Sequence, residues 1–317
     1  QDWNNQTSPV TVSFDGGIIP VSVSAGTYNT CAILENGSVM CWGRGTYGLN
    51  GDGAGNYDDD EYEPSLVALP GGSAALEVGI GQWHACAILD NSSLYCWGSN
   101  MHWQIGNGVE GNYDCSWTTD FENSDGDWVS IDNWQNSTAC YPYPQLVDTG
   151  DRVPKSLSLG VTFTCALMQD GGVQCWGGSD SSNIFGELGN GHGYGGGTGN
   201  WRSATPQNVS FGHHEVHQID GHGHNRGTCS ILSNKSVYCW GSMPIYHEGY
   251  VGDLPGDCII SYDSDWNPEY GNASSIGGCD SMDDYRLSDV PKHIPVEFGS
   301  ISQKECFYGS FQNQTGQ

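Results

Sequence analysis

The stretch Cys31-Ala-Ile-Leu-Glu-Asn-Gly-Ser-Val-Met-Cys41-Trp-Gly places two cysteines ten residues apart around a turn and follows them with Trp-Gly. Three further stretches keep the same spacing, and they begin at Cys86, Cys165 and Cys229. A motif that recurs at fixed internal spacing indicates a repeat architecture, in which each repeat is one supersecondary unit packed on its neighbours. The chain is therefore predicted to contain four full repeats.

Each motif predicts a β-hairpin whose turn lies midway between the cysteines. In the first motif, Glu35-Asn36-Gly37 suits a three-residue loop closed by a glycine in the left-handed region, which places Cys31 opposite Cys41. Directly opposed residues on antiparallel strands are close enough for a disulfide. The register permits four pairs, with pairing between neighbouring repeats as the alternative: Cys31–Cys41, Cys86–Cys96, Cys165–Cys175 and Cys229–Cys239.

Extended segments flank each hairpin and complete a unit of about four short strands. One precedes the first cysteine, as in VSVSAG from Val21, and another follows a Gly-rich loop, as in TPQNVSFG from Thr205. The sequence therefore predicts an all-β fold, a β-propeller of four-stranded blades. We expect a single domain over 1–317, with repeats at 21–75, 76–154, 155–214 and 215–295, half-repeats at 1–20 and 296–317, and insertions at 99–141 and 242–290.

The repeats resemble those of the regulator of chromosome condensation family, whose motif joins a G-x-x-H-T-x-A-L segment, a Trp-Gly and an N-x-x-G-Q-L-G-like segment. Gly81 to Leu89 matches the first part, and Phe185 to Gly189 matches the last. The cysteine-bearing version looks like the extracellular branch, which includes plant crinkly-type receptor ectodomains. The resemblance implies a propeller, usually of seven blades, that acts as a rigid binding platform. It does not imply the nucleotide exchange activity of the founding member, because fold does not determine function.

Cysteine content and glycosylation motifs predict an extracellular, secreted protein. Thirteen regularly spaced cysteines indicate a disulfide framework in an oxidising compartment. No apolar run is long enough for a membrane span and no signal peptide is present, so a secreted form would begin after cleavage. Eight Asn-x-Ser/Thr acceptors predict N-linked glycans on exposed loops: Asn5, Asn36, Asn91, Asn136, Asn208, Asn234, Asn272 and Asn313.

The remaining cysteines predict two local staples and one cysteine without a hairpin partner. Each long insertion carries its own pair, Cys115–Cys140 and Cys258–Cys279. Cys306 aligns with the opening of a fifth repeat, so we expect it to be unpaired or bonded to another chain. Ser8 to Asp15 has the sequence of a closing strand, so the two half-repeats are complementary. They predict head-to-tail self-association, with closure of a ring within one chain as the alternative.

Charge and motif content exclude several kinds of partner and chemistry. A net charge of −28 argues against nucleic-acid binding, which requires clustered Lys and Arg. Asp58, Asp59 and Asp60 are weak candidate calcium ligands, but they lack EF-hand spacing and a solvated acidic loop is favoured. The histidine tract is likewise favoured as a polar surface loop over a zinc site: His213, His214, His217, His222 and His224. No cofactor is otherwise expected.

These observations predict a non-enzymatic protein, since the sequence contains no nucleophile elbow, H-E-x-x-H or Walker-type loop. We expect a structural or assembly subunit of an extracellular filament, coat or matrix. The alternatives are a recognition ectodomain whose loops bind a protein or glycan and, less favoured, a glycan-active enzyme. The tryptophans that follow the second hairpin cysteine are expected to pack between blades: Trp42, Trp97, Trp176 and Trp240.

Overall fold

The structure is a computed structural model. It describes residues 8–14, 17–53, 61–109, 113–114, 118–122, 128–132, 139–178, 186–190, 202–221, 226–244, 257–262, 268–272 and 285–294. Antiparallel strands form four successive sheets along the chain, which we call blades 1 to 4, and one separate two-stranded ribbon. The predicted all-β class with four-stranded antiparallel blades is confirmed.

Blades 1 and 3 each consist of four strands that pair in sequence order. Blade 1 contains β1 Pro20–Ala25, β2 Asn29–Leu34, β3 Val39–Gly43 and β4 Glu61–Leu66. Blade 3 contains β12 Pro154–Leu159, β13 Phe163–Met168, β14 Val173–Gly177 and β15 Ser203–Val209. A short 3-10 turn, Thr46–Gly48, follows β3.

Blades 2 and 4 contain extra strands because the predicted insertions are not plain loops. Blade 2 contains β5 Ala75–Ile80, β6 His84–Leu89, β7 Leu94–Ser99, β11 Ala139–Val147 and the added β8 Tyr113–Asp114. The separate ribbon pairs β9 Thr118–Glu122 with β10 Trp128–Asp132. Blade 4 contains β16 Val216–Asp220, β17 Arg226–Leu232, β18 Val237–Pro244, β21 Tyr285–Ile294 and the added β19 Asp257–Tyr262 and β20 Pro268–Asn272.

All four hairpins have the register that a three-residue turn imposes. In blade 1 the strands pair Cys31 with Cys41 and Ile33 with Val39. The third residue of each turn is in the left-handed region whether or not it is glycine: Gly37 (φ 79°), Ser92 (φ 71°), Gly171 (φ 79°) and Lys235 (φ 70°). The strand register therefore outweighs the modest cost that Ser and Lys incur at positive φ.

The hydrophobic core is divided into three clusters, each lying between two successive blades. The first contains Ile33 and Val39 of blade 1 with Val78 and Trp97 of blade 2. The second and third repeat this arrangement between blades 2 and 3 and between blades 3 and 4. The consecutive apolar residues of β6, all buried, follow from this packing because both faces of the sheet are covered.

Candidate functional site

In blades 2 to 4, the tryptophan after the second hairpin cysteine packs against the preceding blade and donates a hydrogen bond to it. Trp97 is fully buried, and its Nε1–H donates to Leu49 O of blade 1 at 3.0 Å. The next two junctions repeat the bond: Trp176 Nε1 to Gln104 O at 3.0 Å and Trp240 Nε1 to Glu187 O at 3.1 Å. The predicted packing of these three tryptophans between blades is confirmed.

The accepting carbonyl belongs to a tight turn in the loop that follows Trp-Gly in the preceding blade. The turn closes when a glycine N–H donates three residues back, as from Gly106 to Trp103 O at 3.1 Å. Gly106 has φ +76°, and a Cβ there would lie 2.4 Å from Nε1 of Trp176. Only glycine therefore lets the turn approach the indole. Gly51 and Gly189 contact Trp97 and Trp240 in the same way.

A buried hydrogen-bond network reinforces the junction between blades 2 and 3. Nε2 of His84 lies 2.7 Å from Thr164 Oγ1, and that hydroxyl donates its proton to Gln104 O at 3.0 Å. His84 must then carry its proton on Nε2, since the threonine has no second proton to give. Complete burial lowers the pKa of His84 to about 3, so the ring is neutral. The network therefore links blades 2 and 3 through uncharged groups.

A second buried polar contact at the following junction involves Glu187, which the sequence analysis did not single out. Its side chain is fully buried, and Oε2 accepts from Thr162 Oγ1 at 3.1 Å. Its backbone carbonyl is the one that receives Trp240. Glu187 lies in the segment before Gly189 that matches the family motif, so the resemblance could have identified it. The pattern of hydrophobic residues could not.

Among the described residues, no blade covers the face of blade 1 that points away from blade 2. Val23 occupies the register position of Val78 and Ile219, yet it is 68% exposed whereas each of those is 6% exposed. Ala25 is also exposed, and Trp42 is only half-buried. The predicted burial of Trp42 between blades is therefore not met within the described residues, because no described blade precedes it.

Phe14, at the end of the exposed segment 8–13, contacts blade 1 at Trp42, and its sequence context resembles that of an outer strand. The sequence Pro9-Val-Thr-Val-Ser-Phe14 matches Pro206-Gln-Asn-Val-Ser-Phe211, which runs along and just past the outer strand of blade 3. Phe14 packs edge-on against Trp42 with ring centroids 5.8 Å apart, as Phe211 packs against Trp240 at 5.6 Å. Among the described strands, none pairs with 8–14.

Blade 4 is open on its opposite face. Ile231 is 39% exposed, whereas the residues at the same register in blades 1 to 3 are at most 3% exposed: Ile33, Ile88 and Leu167. Val237, which pairs with Ile231, is half-buried. Each junction between blades joins a face like that of Val23 to a face like that of Ile231. Blade 1 exposes the first kind of face and blade 4 exposes the second, so the two exposed faces are complementary.

The hairpins are closed by four disulfides, and their tips are exposed. The bonds join Cys31–Cys41, Cys86–Cys96, Cys165–Cys175 and Cys229–Cys239, with Cα atoms 4.0 to 4.1 Å apart. At the tips of blades 1, 2 and 4, three exposed sequon asparagines share one turn position: Asn36, Asn91 and Asn234. In each of these turns Oδ1 accepts the N–H of the sequon serine at 3.0 Å.

Blade 3 differs at this position, where Asp170 replaces the sequon asparagine. Its carboxylate receives Nε and Nη2 of Arg152 at 2.9 and 2.8 Å. These bonds, with the N–H of Gly172, lower the pKa of Asp170. Arg152 also donates to Oδ1 of Asn208, the exposed sequon asparagine of the neighbouring outer strand, at 2.8 Å. In blade 3 the exposed sequon asparagine therefore lies on the outer strand beside the hairpin and not at the hairpin tip.

An aromatic cluster with one arginine lies at the loop end of the junction between blades 1 and 2. Tyr28, 40% exposed, and Trp83 stack with centroids 4.8 Å apart and a 33° interplanar angle. Tyr47 meets the edge of Trp83 at 5.5 Å. The guanidinium of Arg44 lies 5.0 Å from the Tyr28 ring, at cation–π distance. The sequence analysis did not identify this cluster.

The other predicted sites lie partly outside the described residues. Cys140 is disulfide-bonded, but its predicted partner Cys115 is outside, as are Asp58 to Asp60, Cys279 and Cys306. Cys258 and Asn272 lie in β19 and β20. Asn5, Asn136, Asn313, His222 and His224 are also outside, whereas His213, His214 and His217 are exposed.

No group of three His, Cys, Asp or Glu side chains in the described part of the chain could hold a metal ion. The same residues include no helix long and apolar enough to cross a bilayer.

Comparison with known sequences identifies the repeat. The family described as "Regulator of chromosome condensation (RCC1) repeat" matches residues 21–49, 77–102 and 155–183. Three segments of the chain are therefore similar to RCC1 repeats. Protein pim1 of Schizosaccharomyces pombe is 26% identical over 75% of this chain, and the Arabidopsis thaliana ultraviolet-B receptor UVR8 is 26% identical over 76%. The chain spans only 40% and 45% of those two relatives.

Solved structures support the same fold. Prp20p of Saccharomyces cerevisiae is 16% identical with a TM-score of 0.58, covering 92% of this chain and 54% of that one. Human WBSCR16 is 17% identical with a TM-score of 0.57, covering 91% and 55%. The fold is therefore RCC1-like. The CRINKLY ectodomain of the Arabidopsis thaliana receptor kinase ACR4 has a TM-score of 0.37 over 71% of this chain and 57% of that one. Membership of the extracellular branch therefore stays a prediction.

Proposed function

We propose that this RCC1-repeat chain is a non-enzymatic, secreted glycoprotein that assembles head to tail as a structural subunit of an extracellular filament, coat or matrix. One observation carries the proposal. Blade 1 retains the apolar face and the indole donor of an interface that the chain makes three times, with Val23 68% exposed. An exposed apolar face of this kind marks a surface for association. The exposed Ile231 face of blade 4 offers the matching half.

Two features support the extracellular part of the proposal. Every blade contains a hairpin disulfide, which favours an oxidising compartment. The sequons at Asn36, Asn91 and Asn234 are exposed at equivalent tips, where glycans would project from one rim. Glycans would shield that rim from other proteins. The outer faces of blades 1 and 4 would then remain available for contacts between subunits. Glycopeptide mapping of the secreted protein should find these three asparagines occupied, and bare asparagines there would remove this support.

Self-association is tested by light scattering on the purified chain over a range of concentrations. The strong negative charge opposes association of identical chains, so the measurement belongs at about 0.15 M salt, where the Debye length is about 8 Å. We expect the mass to rise with concentration for the native chain and to stay monomeric for Val23→Glu. Leu66→Glu is the matched control, since Leu66 is 59% exposed on the outer strand of the same blade. A native chain that stays monomeric would contradict the proposal.

The aromatic cluster favours a second candidate, a recognition ectodomain for a glycan or protein ligand. Exposed Tyr28, stacked on Trp83 beside Arg44, offers the flat aromatic surface and the cation that such ligands use. A glycan array probed with the native chain and with Tyr28→Ala tests this candidate. Binding that is lost in Tyr28→Ala by a monomeric protein would favour recognition over assembly.

A further inference from the structure

Three of the four hairpin disulfides are sealed between blades. Each disulfide lies on the face that its blade presents to the next one, and the next blade covers it with apolar side chains. The six cysteines concerned are all 0% exposed: Cys31, Cys41, Cys86, Cys96, Cys165 and Cys175. A thiol can reach these sulfurs only when neighbouring blades separate.

The fourth disulfide, Cys229–Cys239, has the same register in its hairpin but a different environment. Its face belongs to blade 4, where Ile231 is 39% exposed and Val237 half-buried. Cys229 is itself half-buried rather than sealed, whereas Cys239 is 5% exposed. The attacking thiolate must approach one sulfur of a disulfide, so the rate of exchange depends on access to that sulfur.

We infer that Cys229–Cys239 is a thiol-exchange site of the folded protein, that its reactant is a small monothiol such as glutathione, and that Cys229 is the residue attacked. The incoming thiolate forms a bond to Sγ of Cys229, the bond to Cys239 breaks, and Cys239 Sγ leaves with the electron pair and takes up a proton. A second thiol molecule then attacks the mixed disulfide. It releases Cys229 as a thiol and forms the oxidised disulfide of the reagent, which completes a two-electron reduction.

Opening this bond leaves the hairpin in place. The strands β17 and β18 pair at six positions, from Arg226 with Ser242 to Ile231 with Val237. Trp240 remains fully buried against blade 3 and bonded to Glu187 O. Exchange at Cys229 therefore changes the chemistry of an exposed blade face without unfolding the blade. The inference applies to the unassembled chain, because the proposed head-to-tail contact would cover the Ile231 face and with it this disulfide. Exchange is therefore measured at protein concentrations where the chain is monomeric.

The test is a time course of native protein with glutathione, quenched by alkylation and read by peptide mass spectrometry. We expect the glutathione adduct on Cys229 to form at least tenfold faster than on any of the six sealed cysteines. Cys165–Cys175 of blade 3 is the matched control, because it closes the same hairpin under a covering blade. In denaturant the four hairpin disulfides should react at similar rates, which assigns the difference to folding.

Two outcomes would overturn the inference. In one, all four hairpin disulfides react together in native protein, which would mean that exchange follows global unfolding. In the other, adducts appear first in blades 1 to 3. A double variant, Cys229→Ser with Cys239→Ser, should lose the fast adduct and keep the β-sheet circular dichroism of the native chain. A fast adduct that persists on another hairpin in this variant would also count against Cys229.

Discussion

Trp97 and Trp42 follow the same Cys-Trp-Gly motif in adjacent blades, at the same register, and yet they have different surroundings. Trp97 is fully buried and donates to Leu49 O, whereas Trp42 is half-buried with Phe14 at the edge of its ring. The hairpins that carry them pair identically. The difference therefore arises because a described blade precedes Trp97, whereas none of the described residues forms a blade before Trp42. In a repeat protein the motif determines the blade, and the neighbour determines what the motif contributes to stability.

The largest test of this comparison is truncation of the two tryptophans. Trp97→Ala should lower the free energy of unfolding by about 3–5 kcal/mol, because it opens a cavity and leaves a buried carbonyl without its donor. Trp42→Ala should cost less than half as much, since part of that side chain is already in contact with water. Denaturant unfolding of monomeric protein measures both values. Equal losses would show that the two sites are not distinguished by their covering.

The hairpins were predictable from sequence because their information is local. A ten-residue spacing around Asn36 fixes the turn, the turn fixes the register, and the register brings Cys31 to Cys41. Positive φ at Ser92 and Lys235 was not evident, because neither residue favours it and only the register of the flanking strands imposes it. Residue spacing therefore predicts the disulfide pairing, but it does not predict the positive φ of an atypical turn residue.

The candidate site was less predictable because it depends on contacts between distant residues. His84 and Thr164 meet across a junction and are 80 residues apart. Tyr28 and Trp83 stack only because blades 1 and 2 align their loops. The strands of the insertions were also missed, since their pairing with the outer strands of blades 2 and 4 leaves no hydrophobic alternation as strong as that of the hairpins.

The two ends of the stack allow a second test with smaller side chains. Ile88, 2% exposed, lies under blade 3, whereas Ile231 has the same register on the open face of blade 4 and is 39% exposed. Ile88→Ala should destabilise by about 2–5 kcal/mol and Ile231→Ala by about 1 kcal/mol. Thermal unfolding of the two variants at low protein concentration compares them. A cost for Ile231→Ala as large as that for Ile88→Ala would mean that its face is covered in solution.

A covered junction should also make stability depend on pH through His84. Burial lowers its folded pKa to about 3 from an unfolded value of 6.5. Below pH 6.5, His84 is protonated in the unfolded chain but stays neutral in the folded chain. The free energy of unfolding therefore falls as the pH falls. The contribution is about 1.4 kcal/mol per pH unit between pH 6.5 and the folded pKa. His84→Gln should remove that part of the slope between pH 6.5 and 5.

The slope, rather than the absolute stability, is the quantity to compare, because removing His84 also breaks its bond to Thr164. His213→Gln serves as the control, since His213 is exposed in the turn before blade 4. Glu77, whose pKa is raised by burial, contributes equally to all three proteins and cancels in the differences. A His84→Gln variant with the native slope would refute the assignment of a buried neutral histidine.

The smallest and most selective test separates the hydrogen bond of the tryptophan from its packing. Trp97→Phe keeps most of the ring in the cluster between blades 1 and 2 but removes the Nε1 donor, so Leu49 O is left buried without it. That loss should cost about 1–2 kcal/mol beyond the change in apolar area. At Trp42, no described residue supplies an interblade carbonyl for the indole N–H. Trp42→Phe should therefore lower the free energy of unfolding only by the amount that corresponds to the change in buried apolar area. If chains assemble through blade 1, the cost of Trp42→Phe should rise with protein concentration while that of Trp97→Phe stays constant. A Trp42→Phe cost that is independent of concentration in an assembling protein would place the contact between subunits on some other surface.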